Sequence, residues 1–269
     1  MSGSKNIVVS TPKIRLFCTD VDGTLLDNPA SAERFKNTWD GLHRGRRPLL
    51  VYNSGRRVHD LRALIAAGQL PVADYLIGGG GTEFLESLYN RATDFHERFG
   101  EGWDVAAVER VVMAMPRVLN PPAECPHNFR STWVWPRATN DELERLQRCL
   151  ADAGLHASVN YRARRYLDVR PARADMGKAL AWLCARVNVP LPQVLVAGAS
   201  ADSSGMFQLR DVHRIVIENA GPELLADIVG LPAYLSPLVM ADGVLDGLTY
   251  FGVINGAAPA GRVINSLAE

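Results

Sequence analysis

Asp20 and Asp22 stand one residue apart at the end of an apolar run, Ile14 to Thr19, within Phe17-Cys18-Thr19-Asp20-Val21-Asp22-Gly23-Thr24-Leu25-Leu26. Side chains at i and i+2 share one face of a strand. The Asp22-Gly23 turn that follows puts both acids at the C-terminal edge of a β-sheet, where open α/β sheets place their ligands. Such a pair has complementary chemistry, since one carboxylate attacks as a nucleophile while its neighbour moves a proton. Three later features follow the same plan. Ser54-Gly55-Arg56 offers a hydroxyl and backbone N–H groups at a helix start, which suits a phosphate, although a simple helix cap has the same sequence. Lys178, in Asp175-Met176-Gly177-Lys178, is a cation placed to neutralise a phosphoryl group, or else a solvated lysine opening an amphipathic helix. The turn from Gly198 to Phe207 follows another apolar run, Val194 to Ala197.

The elements that must position these residues alternate between strand-like and helix-like, which argues for a parallel sheet with crossover helices. Strands are predicted at Ile14 to Thr19, Pro48 to Tyr52, Asp74 to Ile77, Val194 to Ala197 and Arg214 to Ile217. Helices are predicted at Ser31 to Leu42 (Ser31 as N-cap), Val58 to Ala67, and Met176 to Val187. A further helix opens at Gly221-Pro222-Glu223, with Pro at its first turn. The pattern changes in the middle of the chain. Trp103 to Met115 has helical spacing, Ser131 to Trp135 reads as a strand, and Thr139-Asn140-Asp141-Glu142 fits a capping box. Ala157 to Tyr161 and Tyr166 to Val169 read as a strand pair joined by an arginine-rich turn. The expectation is a doubly wound α/β core, residues 14–87 and 174–255, with an α/β cap inserted at 88–173 and loose tails at 1–13 and 256–269.

Lys plus Arg and Asp plus Glu both number 29, so the formal charge is zero. Bulk charge therefore gives no support for nucleic-acid or anionic-membrane binding, and any anion must be recognised locally. With 47% hydrophobic and 22% charged residues, the 269-residue chain has the composition of a globular protein with a substantial core. No apolar run is long enough to cross a bilayer, and the polar start shows no signal-peptide pattern. Cys18, Cys125, Cys149 and Cys184 have neither metal-site spacing nor a dense disulfide pattern, so the reading is a cytoplasmic protein with reduced thiols. Cys125-Pro126-His127 alone does not make a metal site, and none of the six histidines is given a catalytic role. Trp133 and Trp135 fit either sugar stacking or core packing.

The ordered set of Asp20 and Asp22, Ser54, Lys178 and the Gly198 turn resembles the haloacid dehalogenase (HAD) superfamily, in its α/β-capped subgroup. Within it, Tyr75-Leu76-Ile77-Gly78-Gly79-Gly80-Gly81-Thr82-Glu83 and Tyr166-Leu167-Asp168-Val169-Arg170-Pro171 are similar to segments of sucrose-phosphate phosphatases. Asn53-Ser54-Gly55-Arg56 and Ala241-Asp242-Gly243-Val244 resemble mannosylfructose-phosphate phosphatases.

The resemblance implies a phosphatase acting on a phosphorylated sugar, with Asp20 as nucleophile, Asp22 as acid and base, and Ser54 and Lys178 holding the phosphoryl group. It further implies Gly55, Arg56, Gly81, Thr82, Glu83, Arg130 and Asp168 as substrate contacts, and Mg²⁺ on Asp20, Asp22 and a fourth-motif carboxylate. That last motif departs from the family pattern Gly-Asp-Ser-Gly-Asn-Asp, because Ala199 and Ser203 stand at its two aspartate positions and Asp202 at its asparagine. Asp202 is left as the candidate metal ligand. A second reading is therefore a protein that binds sugar phosphate without turnover, or regulates a partner such as a glycosyltransferase. Phosphotransfer to a second sugar is a third.

Overall fold

The computed structural model describes residues 13–86, 93–119, 130–162 and 164–264. Its first half runs β1 (Leu16–Thr19), α1 (Pro29–Asp40), β2 (Leu49–Asn53), α2 (Val58–Ala66), β3 (Tyr75–Gly78), β4 (Glu83–Glu86), α3 (Thr93–Gly100) and α4 (Val105–Met113). Next come β5 (Ser131–Val134), α5 (Asn140–Asp152), β6 (Ala157–Arg162), β7 (Tyr166–Pro171) and α6 (Met176–Arg186). The chain continues through β8 (Val194–Gly198), α7 (Ser204–Phe207), β9 (His213–Val216), α8 (Pro222–Asp227), β10 (Ala233–Leu235), α9 (Met240–Tyr250) and β11 (Arg262–Ile264).

Among the described residues, eight strands form one sheet in the order β11-β10-β9-β8-β1-β2-β3-β4. The six inner strands are parallel, while β4 and β11 close the edges antiparallel. β1 sits between β2 and β8, where the chain reverses its direction of travel across the sheet. The crevice at such a switch point is the standard ligand position in doubly wound sheets. Both faces of the sheet are covered. Phe17, Tyr52, Leu50, Leu195 and Ile215 pack on one side, and Cys18, Val51, Val196, Leu180 and Phe207 on the other. β1 is buried at all four positions, as expected of a parallel strand with helices on either face.

A second sheet, β5-β7-β6, is antiparallel and forms the cap. Its register lines up Trp133, Leu167 and Tyr161 in one row and Thr132, Asp168 and Asn160 in the next. The first row packs with α4 and α5 through Val108, Val112, Leu146 and Leu150. The second row is polar, and Asn160 from it reaches a core loop. The capping box at Thr139 and Glu142 forms as the sequence requires. Trp133 and Trp135 are buried in the cap's core, so packing, rather than sugar stacking, is their role.

Several boundaries differ from the sequence reading. Helix α1 starts at Pro29 because Asn28, not Ser31, is the N-cap, its side chain accepting from Ser31 N at 3.2 Å. The Ser31 hydroxyl instead accepts from Asp242 N. Helix α3 falls inside the expected insert, yet Phe95 and Phe99 pack with Phe84 and Trp182 in the main core. The cap's own apolar cluster begins at Trp103 and Val108. The stretch expected to be a loose tail from residue 256 is tied down. Ala260 N donates to Asp246, Gly261 N donates to Tyr234 Oη, and β11 pairs with β10. Residues 1–12, Cys125 and His127 lie outside the described residues.

Gly177, in the first turn of α6, meets the carbonyl of Gly205 at the start of α7, and a Cβ there would lie inside the contact distance of that backbone. Backbone cannot move aside as a flexible side chain can. Gly177→Ala is therefore expected to destabilise the protein by about 1–3 kcal/mol, measured as a lowered midpoint in urea with an unchanged m-value.

Candidate active site

Asp20 follows β1 directly and is almost fully buried, at 3% exposure. Its Oδ1 accepts from Val21 N at 2.7 Å, and its Oδ2 accepts from the Ser200 hydroxyl at 3.3 Å. Burial pushes its pKa up from 3.8 to about 7, and the neighbouring charges of Asp22 and Asp202 add to the rise. The two hydrogen bonds oppose the shift and lose, because removing a lone carboxylate from water costs more than they return. Gly23, with φ of +67°, turns the chain just after Asp22, a conformation that glycine adopts at no steric cost. Asn219 donates to Gly23 O at 2.7 Å and pins this turn to the loop after β9.

Asp22 is half-exposed and held by Arg56, whose Nε and Nη2 donate to it at 2.8 and 2.6 Å. This forked grip fixes the carboxylate's orientation, and it raises the arginine's own pKa. Ser54 is fully buried after β2, and its hydroxyl accepts from Arg56 N at 3.2 Å. Asn53 beside it donates to Met176 O at 2.8 Å, tying the end of β2 to the start of α6.

Asp20, Asp22, Ser54, Gly55, Arg56 and Asp202 border one cavity of about 590 Å³. Asn160 and Tyr161 of the cap, and Ser200, Ala201 and Glu223 of the core, complete its walls. Arg130 and Asp168 pair through two hydrogen bonds, at 3.0 and 2.7 Å, and Thr132 donates to the same carboxylate at 2.8 Å. A third nitrogen of Arg130 donates to Gly55 O at 2.7 Å, so this cap pair rests on the Ser54-Gly55 loop. Asn160 Nδ2 donates to Asp202 Oδ1 at 2.6 Å and makes a second tie across the same gap.

Four of the expected site residues do other work. Lys178 points away from the cavity. Its Nζ donates to Ala172 O at 2.9 Å, pairs with Asp175 at 3.0 Å, and borders a separate cleft with Arg98, His156 and Trp182. The cause is local, since Asp175 caps α6 by accepting from Lys178 N and so orients the first turn. Gly81 fits against the Asp175 carbonyl, Thr82 donates within its own turn to Gly79 O, and Glu83 caps α2 by accepting from Val58 N at 2.7 Å. None of these four borders the Asp20 cavity.

Ser200, Asn160 and Glu223 are site residues that motif reading passed over. Ser200 and Glu223 were detectable in principle, because Ser200 lies just beyond β8 and Glu223 in the first turn of the helix that follows β9, at the sheet edge already singled out. Asn160 carries no such signal, for it reaches the site only through the fold of the cap.

A parallel sheet with acids at the end of its central strand and an antiparallel sheet inserted above them is the architecture of capped α/β phosphatases. The family model for sucrose-6F-phosphate phosphohydrolase matches residues 13–252, and the chain belongs to that family. Mannosylfructose-phosphate phosphatase from Agrobacterium fabrum is 32% identical over 242 residues, covering 89% of this chain and 98% of that protein. Sucrose-phosphatase 1 from Nicotiana tabacum is 27% identical over 220 residues, covering 78% of this chain and 51% of the tobacco protein, so the chain spans about half of that relative. Among solved structures, the sucrose-phosphatase from Synechocystis sp. PCC6803 in complex with sucrose and phosphate superposes with a TM-score of 0.77. It shares 20% identity and covers 89% of this chain and 98% of its own. A HAD-superfamily phosphatase from Bacteroides thetaiotaomicron superposes with a TM-score of 0.63 at 17% identity, covering 94% of this chain and all (100%) of its own.

The raised pKa of Asp20 has a sign for stability. The folded state keeps the proton up to about pH 7, whereas the unfolded state releases it near pH 4. Stability should therefore fall as pH rises between those values, by at most about 4 kcal/mol from this group. Asp20→Asn removes the penalty, so thermal melts at pH 8 are expected to show the variant more stable than the wild type, with the difference vanishing near pH 4.

Proposed function

We propose that the protein is a phosphatase that hydrolyses a disaccharide phosphate of the sucrose-phosphate or mannosylfructose-phosphate kind. The observation that carries this reading is the convergence of Asp20, Asp22 and Ser54, from two separate strand ends, on one cavity roofed by the cap. The full-length match to a mannosylfructose-phosphate phosphatase supports the substrate class. It also disfavours the reading of a sugar-phosphate binder without turnover.

In this proposal Asp20 attacks phosphorus in line as its carboxylate, the form it takes above about pH 7, forming an aspartyl phosphate while the bond to the sugar oxygen breaks. Asp22, once it has taken up a proton in place of its bonds to Arg56, gives that proton to the departing sugar oxygen. It then takes a proton from the water that cleaves the aspartyl phosphate, releasing inorganic phosphate and restoring Asp20. Arg56 holds Asp22 at the edge of the cavity between these steps. Ser54 and the backbone of its loop cradle the phosphoryl oxygens. The polar row of the cap, from Thr132 to Asn160, faces the sugar. A glycosyltransferase that makes such a phosphorylated sugar is the partner that this chemistry would suit.

Mg²⁺ is the cofactor that the family resemblance implies, and the residues present do not assemble its usual cradle. Ala199 offers no ligand. Ser203 spends its hydroxyl on Ser200 O at 2.6 Å, and Asp202 receives the cap's Asn160. Among the described residues no three His, Cys, Asp or Glu side chains are grouped to hold a metal ion. None of the steps above runs through a metal.

Purified protein incubated with sucrose 6-phosphate or mannosylfructose phosphate, with and without added Mg²⁺, is expected to release inorganic phosphate. Asp20→Asn should lower turnover by about 10³-fold or more, and Asp22→Asn by roughly 10²- to 10⁴-fold. Undiminished phosphate release by Asp20→Asn would exclude Asp20 as the nucleophile.

A further inference from the structure

We propose that Arg170, and not Lys178, supplies the positive charge that a bound phosphoryl group meets on the Asp202 side of the cavity. The proposal rests on the phosphatase reading and assigns a residue to it. A phosphate beside Asp20, Asp22, Asp202 and Glu223 needs a compensating cation, and the candidates can be sorted by what they already hold. Lys178 is turned into the neighbouring cleft, on Ala172 O and Asp175. Arg56 is committed to Asp22, and Arg130 to Asp168.

Arg170 differs from all three. It lies two residues beyond Asp168 on β7, hence on the polar, core-facing side of the cap sheet. Its Nη1 donates to Gly80 O at 3.0 Å, and its Nε is buried with no hydrogen-bond partner. Gly80 makes this possible, since a Cβ at that position would collide with Nη1. Asp202 is the charge that acts most strongly on this guanidinium, and it counters the fall in pKa that burial causes. Asp202 borders the cavity, whereas Arg170 stands behind it, on the carbonyl of Gly80, whose own N–H donates to the carbonyl of the cavity-lining Ser54 at 3.0 Å. Arg170 is thus a positioning residue: it acts on the phosphoryl group through its field and through the carboxylate between them. A desolvated cation exerts that field at far less dielectric cost than an exposed one, which is why a buried arginine can serve where an exposed lysine cannot.

The test is calorimetric binding of inorganic phosphate to the intact protein. Arg170→Met should weaken binding about tenfold or more. Arg170→Lys should keep most of the affinity, and Lys178→Met should match the wild type. Asp202→Asn should tighten binding, because the field of Arg170 is then unmasked, and the gain should disappear in the Asp202→Asn, Arg170→Met double variant. A merely structural arginine would not produce that coupling. Wild-type affinity in Arg170→Met, or an equal loss in Lys178→Met, overturns the assignment. Should Arg170→Met fail to fold, Arg170→Gln takes its place in both the wild-type and Asp202→Asn backgrounds, and an unchanged affinity in the two overturns the assignment. A wild type that neither binds phosphate nor releases it from a sugar phosphate overturns the phosphatase reading and this assignment together. Wild-type binding that Arg170→Met reproduces overturns only the assignment.

Discussion

Negative charge crowded at the end of the central strand is the constraint around which this structure is arranged. Asp20 is buried, flanked by Asp22 and Asp202, and holds its proton to about pH 7. No single interaction neutralises the group. Asp22 is balanced by Arg56 across the cavity mouth, Asp202 is capped by the cap's Asn160, and Asp20 itself leans on one backbone N–H and the Ser200 hydroxyl. Such crowding is tolerated in a folded protein because it is confined to a few side chains and backed by a large apolar core. It also leaves the pocket poised for a ligand with its own charge to redistribute.

The cap is matched to that need by its pleat. One face of the β5-β7-β6 sheet is spent on packing with α4 and α5. The other carries Thr132, Asp168 and Asn160 in register. Among the described residues, Arg130 ties this face to Gly55 and Asn160 ties it to Asp202, both at the cavity, while Arg170 ties it to Gly80 in the turn after β3. A one-residue slip in register would turn this row away from the core and expose the tryptophans. The burial of Trp133 and Trp135 therefore fixes which side chains of the cap face the core.

Much of the framework was legible in the chain. The apolar run before Asp20, the run before Ser54, the capping box at Thr139 and the paired strands of the cap are local patterns, and local hydrogen bonding and burial decide them. The short closing elements were harder. β4, β10 and β11 are three or four residues long and take their structure from the strands they join. Helix α3 was hidden because its Phe95 packs with a tryptophan far away in sequence, Trp182.

By itself the sequence determined the class of chemistry. Two acids at one strand end and a hydroxyl at a helix start can be read from residue types and spacing, since β-strand periodicity fixes which neighbours share a face, whereas the altered fourth motif shows only against the family that the chain resembles. Tertiary structure alone decided where the two cations Lys178 and Arg170 lie. Lys178 and Arg170 lie eight positions apart, and the motif pattern pointed to the lysine. Only the capping bond of Asp175 turns the lysine outward, and only the space left by Gly80 admits the arginine. Charge acts through distance and burial, and neither is written in the order of residues.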